Sequence, residues 1–421
     1  MATTAASVAE ICAAARRASQ TLATLGSEVR DAALEAIAQA IDEHVPEILD
    51  ANAHDLEEAR AGDYTSAFLD KLRLDEARVA AMAAGVRTIA GLPDPVGEVI
   101  DGFRLPNGLD ERKVRVPLGV VAVVYEARPN VTIDAASLCL KAGNAIVLRG
   151  SSAATHSNAV LAGLASSAAA GAGLPEEALA LVSGSGRQEI AELATQTGVV
   201  DLIVPRGGEG LKESLRAVAT VPVLYAASGN CHVYVDRWSD EDAAEAIVLN
   251  AKLQRPGVCN AIETLLVHAD VATPFLQRAL SALHDAGVRL HGDHRARAAV
   301  PGLPVEIATE ADWDTEYLAL ELAVRVVDSV QDAIEHINTH GSGHSEAIVT
   351  RDTEAARAFE LGVDAACVYV NASTRFTDGG VFGMGAEIGN STQKLHARGP
   401  IGIRELCTFK YLVEGDGHVR P

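Results

Sequence analysis

The chain has 421 residues, more than one hydrophobic core ordinarily serves, so two or three domains are expected. Hydrophobic residues make up 48% and charged residues 22%, with only 4% aromatics, so the core must rest on Leu, Val, Ile and close packing of Ala-rich helices. The formal net charge of −22 argues against a nucleic-acid or anionic-membrane partner, since both are held by basic patches, and an anionic ligand would need local Arg and Lys to oppose that field.

In chain order, Met1 to Arg17 is Ala-rich with Glu10 inside it, and carries no basic start followed by an apolar core of a secretory leader. Residues 3–90 read as helices broken near Gly26, Pro46 and Gly62. A Pro106-Asn107-Gly108 turn between short alternating runs then predicts a hairpin over about 98–115. Val120–Tyr125 is continuous in β-branched residues, as a strand buried on both faces should be. Helix and strand alternate from there: helix 134–141, strand 145–148, helix 155–171, strand 179–182, a further helix, and strand 200–204. That alternation means right-handed βαβ units with a crevice at the strand C-termini. The uncharged run from Ala159 to Pro175 is Ala, Gly and Ser with scattered Leu, so it reads as a buried helix and not as a membrane anchor. A second α/β region is expected from Gln254, with strands at 264–268 and 323–327 and a helix at 274–286. A last strand lies at 408–413. The six cysteines (Cys12, Cys139, Cys231, Cys259, Cys367 and Cys407) are far apart and form no CxxC pair, so neither a disulfide framework nor a metal site is expected, and the compartment reads as reducing and cytoplasmic.

Three stretches carry chemistry. Gln254-Arg-Pro-Gly-Val-Cys-Asn-Ala-Ile-Glu-Thr264 places Cys259 in a loop before an apolar strand, where backbone N–H donors can favour a reactive thiolate. Read locally, Cys259 is more simply a small buried hydrophobe, the commonest fate of a free cysteine. Gly207, Gly208 and Gly210 precede a helix near 211–218, and unpaired N–H groups at a helix start suit a pyrophosphate, although glycine clusters also simply make turns. Arg149 ends a strand at the same edge, placed for a phosphate or for solvent.

The order of these blocks resembles the aldehyde dehydrogenase superfamily. Pro117–Val124 is similar to its strand entering the cofactor domain, and Lys141–Arg149 to the next strand, whose terminal basic residue holds the cofactor's ribose or phosphate. The loop Val182–Gly186 with the turn Val200–Gly208 is similar to its Gly-rich segment, and Cys259 falls where the superfamily keeps its nucleophile. Within the superfamily, the closer resemblance is to the glutamyl-phosphate reductase family. Tyr125–Val131, Pro205–Gly208, Gly229–Asp236, Gln254–Thr264, Asn338–Ala347 and Gly383–Pro400 match its blocks in order, over nearly the whole chain.

The resemblance implies an α/β, aldehyde dehydrogenase-like fold: a Rossmann-type cofactor domain over 1–97 and 116–253, a catalytic α/β domain over 254–400, and a small oligomerisation extension over 98–115 and 401–421. It implies NADPH/NADP as cofactor, L-glutamyl 5-phosphate as substrate, a homo-oligomer, and channelling from glutamate 5-kinase. It makes Cys259 the nucleophile and Asn130 an oxyanion donor, although Asn130 after Pro129 is also an ordinary turn former. Cofactor contacts fall to Arg149, Ser183, Gly184, Pro205, Arg206, Gly207, Gly208 and Glu316; a helix-start carboxylate is the plainer account of Glu316. His344, Lys394, His396 and Arg398 are candidates for the substrate, with a structural histidine and a solvated or subunit-facing basic cluster as the alternatives. Tyr225-Ala-Ala-Ser-Gly-Asn230 covers the region where aldehyde-oxidising relatives keep a general-base glutamate, and it holds no acid. That fits reduction of an activated acyl group, for which hydrolytic water is unwanted. Two rivals remain at this point: a reductase of coenzyme A thioesters and a catalytically silent scaffold of the same fold.

Overall fold

The computed structural model describes residues 6–420, apart from 63, 185, 226 and 227. The chain forms two compact units. One takes the chain up to Tyr225 together with Met384–Gly389 and the segment from Ile401; the other takes the chain between Tyr225 and Met384 together with Asn390–Pro400.

The first unit begins with five helices, Val8–Leu22, Ser27–Glu43, Val45–Arg60, Ser66–Leu72 and Glu76–Ala90. Their starts are written in the sequence: Ser7 and Glu10 form a capping box, while Thr65 and Asp75 accept from backbone N–H groups of the next turn. Pro46 stands in the first turn of its helix, where no backbone donor is lost. A parallel sheet follows, in the spatial order Leu179–Leu181, Ala145–Arg149, Val120–Tyr125, Leu202–Arg206. Val120–Tyr125 is buried along its whole length. Helices Asn130–Lys141 and Thr155–Gly171 join these strands. The long-range ties are polar and satisfied. Asp55, almost wholly buried, accepts from the N–H groups of His156 and Ser157 and so caps a helix a hundred residues away. Lys141 reaches Asp31 at 2.5 Å and the carbonyl of Ala90 at 2.7 Å.

A three-stranded antiparallel sheet belongs to the same unit. Asp110–Pro117 lies between Val99–Arg104 and Cys407–Glu414, leaving an open edge on either side. Phe103, Phe409, Tyr411 and Val413 are each about half exposed on it (46–55%), and Lys113 Nζ stands 3.7 Å over the Phe409 ring. Just before the last strand, buried Asn144 accepts from the N–H of Gly119 and donates to the carbonyl of Leu406, both at 2.8 Å.

The second unit is a seven-stranded, wholly parallel sheet. Its order is Val305–Ile307, Arg289–Gly292, Glu321–Val327, Ile262–His268, Cys231–Val235, Ser345–Val349, Cys367–Val370. Helices cover both faces. Val233 and Val235 pack with Val248, Phe275 and Leu276 on one side, and Tyr234 packs with Ile334, Ile337 and Phe359 on the other. Here the structure departs from the expected boundary at 253/254. Cys231–Val235 is hydrogen-bonded between two strands of this sheet and Glu241–Leu253 packs over it, so the chain leaves the first unit at Tyr225. No helix among the described residues is long and apolar enough to cross a membrane.

Candidate active site

Of the six cysteines, all thiols, five are buried and Cys259 is exposed. Burial pushes the thiol of Cys12 up to about 11 and that of Cys407 up to about 12, and raises Cys139 and Cys231 as well. Those four are disfavoured as thiolates. Cys259 lies in the turn between helix Glu241–Leu253 and strand Ile262–His268, and neighbours on three sides fix that turn. Gly229 packs against it so closely that a Cβ there would sit 1.6 Å from the Cys259 carbonyl oxygen. The Cys231 thiol donates to that same oxygen at 3.2 Å. Asn260 Nδ2 donates to the carbonyl of Thr377 at 2.9 Å, while Thr374 Oγ1 donates back to the Asn260 carbonyl at 2.7 Å.

Beneath the turn, Lys252 and Glu263 form a fully buried pair at 2.5 Å; Lys252 also holds the Ile262 carbonyl, and Glu263 accepts from the N–H of Leu318. Burial pushes Glu263 up to about 7 and Lys252 down, because desolvation opposes both charges. Glu316, expected on the cofactor, accepts the N–H of Gly229 at 2.6 Å, on the residue packed against Cys259. His344 is wholly buried, its Nδ1 bonded to Ser345 Oγ at 2.8 Å, and burial holds it down at about 4, so it is neutral near pH 7. Lys394 and Arg398 both bond Asp364, at 2.5 and 2.8 Å, beside a cavity of about 400 Å³ that Ser342 and Glu346 also line. His396 is exposed, with a left-handed φ of 70°.

The remaining candidates belong to the first unit. Asn130 opens helix Asn130–Lys141, and its Nδ2 donates to Asp134 at 2.8 Å, which occupies one of its two amide hydrogens. Two positions before Pro129, Ala127 holds a left-handed φ of 45°, a strain that a surrounding structure must enforce. Arg149 is 6% exposed; Nη2 donates to the Gly186 carbonyl at 2.7 Å, and Nε has no partner. Ser183 is exposed, and Gly184 has a φ of 112° with the Glu189 carboxylate where a Cβ would fall, so only glycine fits there. Pro205 sits in the strand at the sheet's edge, where its missing N–H costs least. The Arg206 carbonyl accepts from Glu126, and the guanidinium lies against Gly389. Gly207 and Gly208 lead into helix Glu209–Val218, and the Gly208 N–H already serves an anion, the Glu126 carboxylate at 2.9 Å.

Comparison with known proteins gives this geometry its context. Residues 1–298 match the family model of the aldehyde dehydrogenase family. The chain is 53% identical to a gamma-glutamyl phosphate reductase of Thermobifida fusca over 98% of both chains, and 54% identical to one from Moorella thermoacetica over 96% of this chain and 97% of that one. The crystal structure of a gamma-glutamyl phosphate reductase from Thermotoga maritima superposes with a TM-score of 0.96 at 44% identity, over 99% of this chain and 100% of that one. The chain belongs to the gamma-glutamyl phosphate reductases of the aldehyde dehydrogenase family. It is an oxidoreductase, and the α/β architecture with its parallel sheets is that family's fold.

In this reductase the structure gathers Cys259, Gly229 and Glu316 in the second unit. It sets Lys394 and Arg398 around Asp364, and keeps Asn130, Arg149, Arg206 and the Gly-rich turn in the first unit. Sequence reasoning passed over Arg375, whose Nε donates to Gln254 Oε1 at 2.9 Å and whose carbonyl accepts from Asn260 beside the nucleophile. An Arg in a polar turn more than a hundred residues from Cys259 gives no local signal. Ala226 and Ala227, where the general base is lacking, lie outside the described residues.

Proposed function

We propose that this reductase converts L-glutamyl 5-phosphate to L-glutamate 5-semialdehyde and phosphate through a thioester on Cys259, with NADPH as the hydride donor. The observation that carries the mechanism is the exposure of one thiol, on a turn held by Gly229, Cys231 and Asn260, while the other five are buried. The Cys259 sulfur attacks the acyl carbon and phosphate leaves. NADPH, when bound, supplies the hydride that reduces the thioester. N–H groups of the Cys259 turn, with Asn130, bear the developing oxyanion. The family's cofactor is a nicotinamide dinucleotide. The preference for NADPH is supported by Arg149, a nearly buried guanidinium whose Nε has no partner, suited to a 2′-phosphate. Ser183, Gly184 and the turn Pro205–Gly208 line the rest of the cofactor's place; Glu126, being exposed, can swing from the Gly208 N–H to admit a pyrophosphate. Glu316 takes the nicotinamide ribose, and His344, Lys394, His396 and Arg398 serve the substrate's charged ends. Two open strand edges and the exposed Phe409, Tyr411 and Val413 support a homo-oligomer built through the three-stranded sheet. The compartment is the cytoplasm, where glutamate 5-kinase can hand over the short-lived acyl phosphate.

The reverse direction tests the reaction class. With glutamate 5-semialdehyde, NADP⁺ and inorganic phosphate, NADPH should form continuously, because phosphate cleaves the thioester. Without phosphate, formation should stop near one equivalent per active site, since general-base help with water, typically worth about 10²–10⁴-fold, is missing. Sustained turnover without phosphate would place the protein among hydrolytic dehydrogenases, and acyl-CoA reduction in its place would favour the thioester reductases. For the cofactor, Arg149→Ala should weaken NADPH by roughly tenfold or more and NADH far less, as losing a charge-assisted contact typically costs about 1.5–3 kcal/mol. Equal weakening, read by fluorescence titration, would assign Arg149 elsewhere.

A further inference from the structure

We propose that Arg375, with Arg255 beside it, forms the subsite for the phosphate group: the leaving group of the acyl phosphate in one direction, the attacking inorganic phosphate in the other. This rests on the acyl-phosphate reading above and names residues that reading did not include. Two cations lie next to the nucleophile in a chain whose net charge is −22. Arg255 is four residues before Cys259 and exposed. Arg375 comes from a distant turn, yet three contacts bring it here. Its Nε bonds Gln254 Oε1 at 2.9 Å, its carbonyl accepts from Asn260, and its neighbour Thr374 donates to the Asn260 carbonyl. Its guanidinium interacts electrostatically with the Cys259 sulfur and with Arg255, and the acid acting on it most is Asp378.

Among the described residues, neither arginine has a carboxylate within ion-pair distance. Lys394 and Arg398 offer the contrast: each stands within ion-pair distance of Asp364. Arg375 Nε is anchored to Gln254, its Nη groups have no hydrogen-bond acceptor among the described residues, and two neighbouring guanidinium groups repel each other until an anion lies between them. A phosphate dianion on the acyl carbon under attack by Cys259 meets that demand. In the step itself the S–C bond forms, the acyl C–O bond to phosphate breaks, and phosphate leaves with that electron pair. Nothing is oxidised or reduced.

Two readouts test the subsite. In the first, cofactor-free protein is alkylated at Cys259 with iodoacetamide, with inorganic phosphate or with chloride at equal ionic strength. Phosphate should protect the wild type, and Arg375→Gln or Arg255→Gln should need at least tenfold more phosphate for equal protection. In the second, reverse turnover is followed against phosphate concentration. Arg375→Gln should raise the phosphate KM at least tenfold while the first, phosphate-independent equivalent of NADPH still forms at the wild-type level. Arg375→Lys, which keeps the charge, should recover part of the loss and guards against a folding defect in the Gln variant. Absence of phosphate protection in the wild type, or an unchanged phosphate KM in a folded Arg375 variant, would overturn the assignment. Failure of the wild type to make NADPH with phosphate would instead sink the acyl-phosphate reaction, and the alkylation readout would still decide the subsite.

Discussion

Cys259→Ser should lower reductase activity on the order of 10⁴-fold or more while leaving NADPH binding nearly unchanged. A serine hydroxyl is hardly ionised near neutral pH, so the covalent step loses its nucleophile. The control is built into the molecule. Cys12→Ala, Cys139→Ala and Cys407→Ala should each turn over near the wild-type rate, because those thiols are buried and burial disfavours their ionised forms. Any effect of these three should appear in the melting temperature. Substantial turnover by Cys259→Ser, measured with freshly made glutamyl 5-phosphate, would refute the thioester mechanism.

Gly229→Ala should also be damaging, with one methyl group as its whole chemical content. The added Cβ would lie 1.6 Å from the carbonyl oxygen and 2.4 Å from the Cα of Cys259, far inside contact distance, and backbone cannot yield as a flexible side chain can. The turn bearing the sulfur must move by an ångström or more. Misplacement of that size costs about 10²-fold when reacting groups are held in line. Gly229 also gives its N–H to Glu316, so the same shift disturbs that carboxylate. The variant should stay folded and keep an alkylatable Cys259 while kcat falls. Activity within a few-fold of wild type would mean that the turn tolerates displacement and that its packing is incidental.

The strands that could be read in the sequence are those made of β-branched residues. Val120–Tyr125 announces itself because both faces are apolar, and Ile262–His268 through its central Leu265-Leu266-Val267 run, although it also carries Glu263 and His268. Cys231–Val235 and Ser345–Val349 are just as buried but carry His232, Ser345 and Glu346, which break the apolar run. The structure resolves the apparent conflict by pairing them. His232 and Glu346 face each other in register, the carboxylate accepting both the backbone N–H of His232 and, at 3.0 Å, its Nδ1. A polar residue whose partner lies 114 positions away reads as a loop residue until the two strands are side by side. The unit boundary at Tyr225 is hidden for the same reason, since the first strand beyond it, Cys231–Val235, has its apolar run broken by His232. At the site, Cys259 after Pro256-Gly257 could be picked out, but the burial of the other five cysteines could not. The Asp364 contacts of Lys394 and Arg398 and the approach of Arg375 span 30 to 121 residues and leave no local mark.

The first unit is not finished when the chain leaves it. Its middle β-strand in the antiparallel sheet, Asp110–Pro117, waits for Cys407–Glu414, and Asn144 waits for the carbonyl of Leu406. During synthesis on a ribosome, which proceeds from the N-terminus, both sets of groups emerge well over two hundred residues before their partners exist. The second unit, by contrast, finds nearly all its strands in one uninterrupted stretch. Vectorial folding therefore favours completing the later half before the earlier one. Until the final strand arrives, the nascent protein displays an unpaired edge to chaperones and to other nascent chains.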